Sequence, residues 1–343
     1  LAELREPRHG TLRGKSIFVR QLSEEDLQLR ATPNAYLQFT EVKPGKGPGS
    51  TTVGTLHANE IRVEPFLIDP VTAKIYGDLL PESPAMGSDF RFLFATGKVQ
   101  LELRTRGEGA NPNTYIKGLG DSLRLRTDKN GKVFSDGNIT GTPARFDTLD
   151  AASRRTVARS DLIRFFLREG EQFLTLDRTG KRKPSVEWIG DLRSTSSGGA
   201  PVKPNEPQPT TLLTCEGPIV VGPKKILCQG AVRARGYDVH GEPDPNGLSL
   251  DTKNMVIDRT SQGLVDKIRA DTDVVFQWSG TRGTCDSLTI DLTGETMRAK
   301  GSTKPALIQL PNAKLTAQQV NYNYRTKMSA CWRGNFKQLP TAK

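Results

Sequence analysis

The feature that most restricts the fold is a short pattern repeated along the chain: a small residue, two polar residues, then apolar–x–apolar. It reads Ala58-Asn59-Glu60-Ile61-Arg62-Val63 and Gly120-Asp121-Ser122-Leu123-Arg124-Leu125 in the first half. It returns as Thr252-Lys253-Asn254-Met255-Val256-Ile257, Cys285-Asp286-Ser287-Leu288-Thr289-Ile290 and Ala317-Gln318-Gln319-Val320-Asn321-Tyr322. The last three begin 33 and 32 residues apart (252 to 285, 285 to 317). Apolar side chains at every second position place one face of a strand against a core and the other toward water. A polar turn follows each motif, usually with a second alternating strand such as Glu295-Thr296-Met297. A unit of ~30 residues built as strand, turn and strand cannot bury its apolar face alone, so such units must stack.

The segments between the motifs alternate in the same way, as in Val99-Gln100-Leu101-Glu102-Leu103. They end in turn chemistry, including Asn130-Gly131, Asp136-Gly137 and Asn246-Gly247, where glycine supplies the positive φ of a tight reversal. Leu149–Arg168 is the ambiguous stretch, readable as a short helix or as a turn before a strand over Leu162–Leu167. The fold class is all-β, with stacked antiparallel strand repeats. Ser194–Thr210 (STSSGGAPVKPNEPQPT) offers no apolar surface to bury. It divides the chain into a first segment at 1–193 with an irregular N-terminal part, a linker or loop at 194–210, and a second segment at 211–343.

Charge and motif content narrow the function. A net charge of +11 raises a nucleic-acid reading, but aromatics are only 6% and no RNP, KH or zinc-finger signature is present. The basic residues read as spread along the chain, and no nucleic-acid partner is expected. Apolar runs such as Ile219-Val220-Val221 fall far short of the ~18 residues of a membrane-spanning helix. The chain begins at Leu1 with no basic and apolar leader, and reads as a mature or trimmed product.

Three histidines and four cysteines, without CxxC, HExxH, GxSxG or GxxxxGK[ST], leave no metal ligand, cofactor or catalytic residue to assign. No enzyme is expected, and His57 and His240 read as surface residues. Cys215, Cys228, Cys285 and Cys331 are candidates for disulfides or for small buried hydrophobes, and the residues alone leave both open. Arg104, Arg106, Arg124, Arg126, Arg233 and Arg235 alternate with apolar neighbours and read as a solvated outer face.

Ala95–Leu103 (ATGKVQLEL) and Cys228–Gly236 (CQGAVRARG), with the companion segments His57–Val63 and Thr316–Tyr322, resemble the strand motifs of the OstA-like family of periplasmic lipopolysaccharide-transport proteins. The resemblance is strongest over Leu212–Phe336, weaker over Thr55–Leu167 and absent from the first fifty or so residues. It implies an open, V-shaped β-jellyroll with apolar inner faces, here as two consecutive jellyroll segments. It also implies a non-enzymatic carrier that shields the acyl chains of lipopolysaccharide or a related lipid in a groove during transport to the outer membrane.

The implied partners are that lipid and other OstA-like transport proteins, joined by edge-strand addition near Thr11–Arg20 or Met328–Phe336. The implied compartment is the periplasm. The chain would be a bridge, a partner anchored to the inner membrane by a segment absent from it, or a fusion of both. In that setting Cys285 with Cys331 would tie adjacent repeats, and Cys215 with Cys228 would clip a hairpin.

The apolar pair of each repeat is expected to line the groove: Ile61, Val63, Leu123, Leu125, Met255, Ile257, Leu288, Ile290, Val320 and Tyr322. The competing reading keeps the same strands and closes them, as a structural β-repeat or scaffold module with a sealed core and no lipid cargo.

Overall fold

The computed structural model describes residues 2–6, 10–21, 27–43, 50–65, 91–107, 114–127, 134–149, 155–168, 171–190, 207–222, 224–260, 265–310 and 313–338. No helix occurs among them, and the strand pairings are antiparallel. The chain is all-β. It divides into two compact units, one of residues 1–151 and 159–174, the other of residues 152–158 and 175–343.

The first unit opens with β1 (Ala2–Glu6), β2 (Gly10–Gly14), β3 (Ser16–Gln21), β4 (Leu27–Thr32) and β5 (Ala35–Lys43). It continues with β6 (Ser50–Ala58), β7 (Glu60–Pro65), β8 (Arg91–Gly107), β9 (Thr114–Thr127) and β10 (Phe134–Leu149). The first half of β8 pairs with β7 and its second half with β6. In turn β6 pairs with β5, and β7 with β4. Thus β4/β5 and β6/β7 each behave as one long strand broken at a corner, at Asn34 (φ 54°) and near Asn59. The corner of β8 lies at Gly97 (φ 76°) and Lys98 (φ 53°), where its register with β9 shifts. Neighbouring corners are stitched together, the Asn59 N–H donating to Gly97 O at 2.8 Å. Extra residues in one strand of a pair bend that strand, and a line of them bends the sheet.

The second unit repeats the device. After β11 (Arg155–Arg168), whose residues divide between the units, come β12 (Glu171–Asp177), β13 (Ser185–Ile189), β14 (Thr210–Thr214) and β15 (Ile219–Val221). Next are β16 (Lys225–Tyr237), β17 (Ser249–Arg259), β18 (Val265–Trp278) and β19 (Thr281–Asp291). The last are β20 (Thr296–Lys300), β21 (Ala306–Leu310), β22 (Ala313–Asn323) and β23 (Ser329–Gln338). Corners fall at Gly230–Ala231, Thr272–Asp273 and Arg333, all with positive φ, and at the β20/β21 break. They too are bridged: Thr252 Oγ1 donates to Asp271 O at 2.8 Å, and Gly301 N–H to Gln318 O at 2.9 Å. Pairings of β11 with β13 and of β12 with β15 close segments of β11 to β16 into a six-strand barrel core. This closed ring of six strands departs from a ladder open throughout.

How sharply the second unit bends can be read from β19. Straight, its 11 residues would span about 36 Å. Yet Trp278, one pairing step from Thr281 at its first end, touches Tyr324, whose N–H bonds Glu295 O beyond its last. The sheet is therefore folded back into two arms, which we name after Ile290 and Ile308.

The Ser/Gly/Pro-rich stretch lies inside the second unit rather than at a division between units. Its flanks pair, Ile189 opposite Thr210, with Gly190 N–H donating to Pro209 O at 2.8 Å. The strands flanking it are antiparallel neighbours, and residues 191–206 lie outside the described ones. Likewise the stretch readable as helix contains strand β11, because alternation of buried Val157, Ile163 and Phe165 suits a sheet face.

Candidate functional site

Strand register gathers the ten expected groove residues into four cross-strand rows. In the second unit, Met255, Leu288 and Val320 share a row that runs Cys228–Met255–Ala270–Leu288–Ala299–Val320–Cys331. Ile257, Ile290 and Tyr322 share the next, Ile226–Ile257–Ile268–Ile290–Met297–Tyr322. In the first unit Ile61 and Leu123 lie in the row Ala31–Ile61–Ala95–Leu123–Ile139, while Val63 and Leu125 lie in Leu29–Val63–Leu93–Leu125. Residues on one row share a sheet face, so each unit carries a continuous apolar surface rather than isolated contacts. Nine of the ten side chains are 3% exposed or less, and Val63 is half-buried.

The repeat pattern identified only one arm. In the second unit the facing arm presents the row Leu213–Ala234–Leu250–Phe276–Gly283–Ile308–Leu315, whose apolar members are all buried. Its strands alternate just as clearly, but they lack the small–polar–polar preface that marked the other arm. That preface marks corners: Cys285-Asp286-Ser287 and Ala317-Gln318-Gln319 sit where the sheet bends, with the apolar pair just beyond.

The far ends of the arms meet in an aromatic contact. Trp278 ends the Ile308 arm and Tyr324 the Ile290 arm, and their rings lie edge to face at 6.4 Å between centroids. The Tyr324 hydroxyl is anchored, donating to Asp291 O at 3.0 Å. Beside it, the fully buried Thr281 hydroxyl lies near the Tyr322 phenol without reaching hydrogen-bond geometry.

All four cysteines are free thiols in the structure, three of them buried and Cys331 exposed. Cys215 donates its S–H to Gln229 O at 3.0 Å and Gly230 O at 3.2 Å. Burial pushes the Cys228 thiol well up, with the neighbouring Cys215 adding to it, and burial pushes Cys285 up to about 12. Cys215 and Cys228 are thus neighbours. Cys285 and Cys331 are not: β20 and β22 lie between their strands, roughly 14 Å at the usual strand spacing.

The arginines expected outside divide as follows. Arg104 and Arg124 are exposed and Arg126 is half-buried, while Arg106's side chain lies outside the described residues. Arg233 pairs with Asp251 at 3.0 Å, as does Arg235 at 2.5 Å. His57 is exposed against the Tyr36 ring at 4.6 Å, and His240 is exposed in a turn. No cluster of metal-ligating side chains occurs among the described residues.

Both ends of the ladder present edges. Among the described pairings β23 has only β22, and Trp332 stands exposed on it, with exposed Met328 just before it. At the other end β2 is covered by β1 and β5, so Thr11–Gly14 is internal; among the described pairings β1 has only β2 and β3 only β4, and Phe18 and Val19 are exposed on β3. Comparison of the chain with protein-family models, curated proteins and solved structures returns no match.

Proposed function

We propose that the chain is a non-enzymatic lipid carrier whose folded sheets shield acyl chains of lipopolysaccharide or a related lipid, in the open-jellyroll manner of the OstA-like family. The observation that carries this reading is the second unit's pair of facing apolar rows, whose far margin beyond the barrel strands is met, among the described residues, by the Trp278–Tyr324 side-chain contact. Separating two arms hinged at a line of corners breaks few hydrogen bonds, and each methylene admitted gains about 0.8 kcal/mol. A tetradecanoyl chain thus offers on the order of 10 kcal/mol before ordering costs. Exposed edges at β3 and β23 suit strand addition to transport partners. Such partners belong to the periplasm, whether this chain is a bridge, a partner held at the inner membrane by another segment, or a fusion.

A second reading has its own observation. Near-complete burial of nine of the ten row residues against the chain's own side chains is what a structural β-repeat with a sealed core requires. Native mass spectrometry of protein purified from a Gram-negative host, with lipid extraction, separates the two. A co-purifying acylated lipid, lost in Leu288→Arg, supports the carrier. A clean apo mass that takes up no added lipid supports the sealed repeat.

A further inference from the structure

The positive charge is concentrated at one end of the ladder. From Thr296 to Lys343 the chain has nine Lys and Arg and no Asp or Glu. Register assembles part of this excess into one outward row on the Ile308 arm, Gln277–Arg282–Gln309–Lys314–Lys337. Lys314 and Lys337 stand directly opposite each other, an arrangement that repels. Other outward cations of this unit face carboxylates, Arg233 and Arg235 on Asp251, Arg269 on Asp258 and Lys267 on Asp291, while Arg298 donates to the Asn321 amide oxygen. Here Arg282 donates to Gln309 Oε1 at 3.0 Å, and neither Lys314 nor Lys337 makes an ion pair among the described residues. The row therefore presents net positive charge to solvent, unneutralised by side chains among the described residues.

The next outward row is Val275–Thr284–Leu307–Thr316, in which Val275 is 51% and Leu307 43% exposed. A shallow hollow of about 360 Å³ lies across these two rows. Cations beside half-exposed aliphatic side chains on a sheet face suit a lipid–water interface, where phosphates meet the cations and methyl groups dip below them. Neither row carries an aromatic side chain, which single-stranded nucleic acid uses as a stacking platform.

We propose that this outer face docks on an anionic lipid bilayer, with Arg282, Lys314 and Lys337 meeting headgroup phosphates and Val275 and Leu307 entering the interface. The docking face lies on the opposite side of the sheet from the apolar interior, so it stands whether or not acyl chains enter between the arms.

Vesicle co-sedimentation of the full chain tests it, comparing phosphatidylcholine with the same lipid containing phosphatidylglycerol. Each cation lost near an anionic surface weakens binding about fivefold. The triple variant Arg282→Gln/Lys314→Gln/Lys337→Gln should bind the anionic vesicles about a hundredfold more weakly. The equal-charge control Lys181→Gln/Arg182→Gln/Lys225→Gln should keep most of the binding, and Val275→Ser/Leu307→Ser should lose several-fold at unchanged charge. Circular dichroism of each variant should match the parent, since all these side chains are on the surface. Equal losses in the two triple variants, or no preference of the parent for anionic vesicles, would overturn the proposal. Displacement of the vesicles by a single-stranded oligonucleotide that binds through the same three cations would also overturn it, reassigning the face to nucleic acid.

Discussion

Trp278 and Tyr324 meet edge to face with their ring planes at 82°, although they end opposite arms of a folded sheet. Aromatic pairs of this geometry contribute about 0.5–1.5 kcal/mol beyond the area they bury. Tyr324→Ala also removes the hydroxyl's bond to Asp291 O. It should lower unfolding free energy by about 2 kcal/mol and raise binding of a solvatochromic apolar dye. Denaturant titration and dye fluorescence check this; an unchanged dye signal would mean that the contact does not hold the arms together.

The interior rows should be far less tolerant than the outer ones. Leu288→Ala leaves a void in a row of buried side chains and should cost about 2–5 kcal/mol. Leu307→Ser, on the outer face, should stay within about 0.5 kcal/mol. Urea midpoints at equal m-value decide the comparison.

Gly283 is required by space. A Cβ there would sit 2.4 Å from Leu307 O and 2.8 Å from Ile308 Cδ1. Gly283→Ala should therefore destabilise by about 1–3 kcal/mol through displacement of β21. A thermal melt equal to that of the parent would show that β21 yields without cost.

Stability should fall at both extremes of pH. The Ser302 hydroxyl, with the N–H groups of Ser302 and Thr303, holds the Asp286 carboxyl down to about 2 from an ordinary 3.8. A carboxyl with a depressed folded pKa contributes fully above its unfolded value and loses that contribution as pH falls from about 4 through 2. Cys285 works in the other direction: raised from 9 to about 12, its contribution is complete below pH 9 and is lost as pH rises toward 12. Asp286→Asn should flatten the acid limb of a stability–pH curve and leave the alkaline limb in place.

Thiol accessibility should follow burial. Native protein should react quickly at Cys331 alone, while denatured, unreduced protein should release four thiols. Fewer than four after denaturation would show that neighbouring Cys215 and Cys228 oxidise to a disulfide.

Period-two alternation was enough to assign the strands, because a strand face is written locally, residue by residue. Repetition of the small–polar–polar preface went further, picking out Met255, Leu288 and Val320 as equivalent positions that register then placed side by side. The facing arm, including Phe276, Ile308 and Leu315, carries no such preface and is legible only from strand register. The cation row is not legible in the sequence, because Arg282, Lys314 and Lys337 are scattered along it and adjoin only through pairing.

What the sequence by itself determined is the all-β class, the outward and inward faces and the turns, since each depends on neighbours a few residues apart. Only the tertiary structure decided where the sheet bends, which strand ends meet and which charges lack partners. Those depend on positive-φ corners at Ala231, Thr272 and Arg333 recurring on separate strands, and a single strand carries no information about its neighbours' corners.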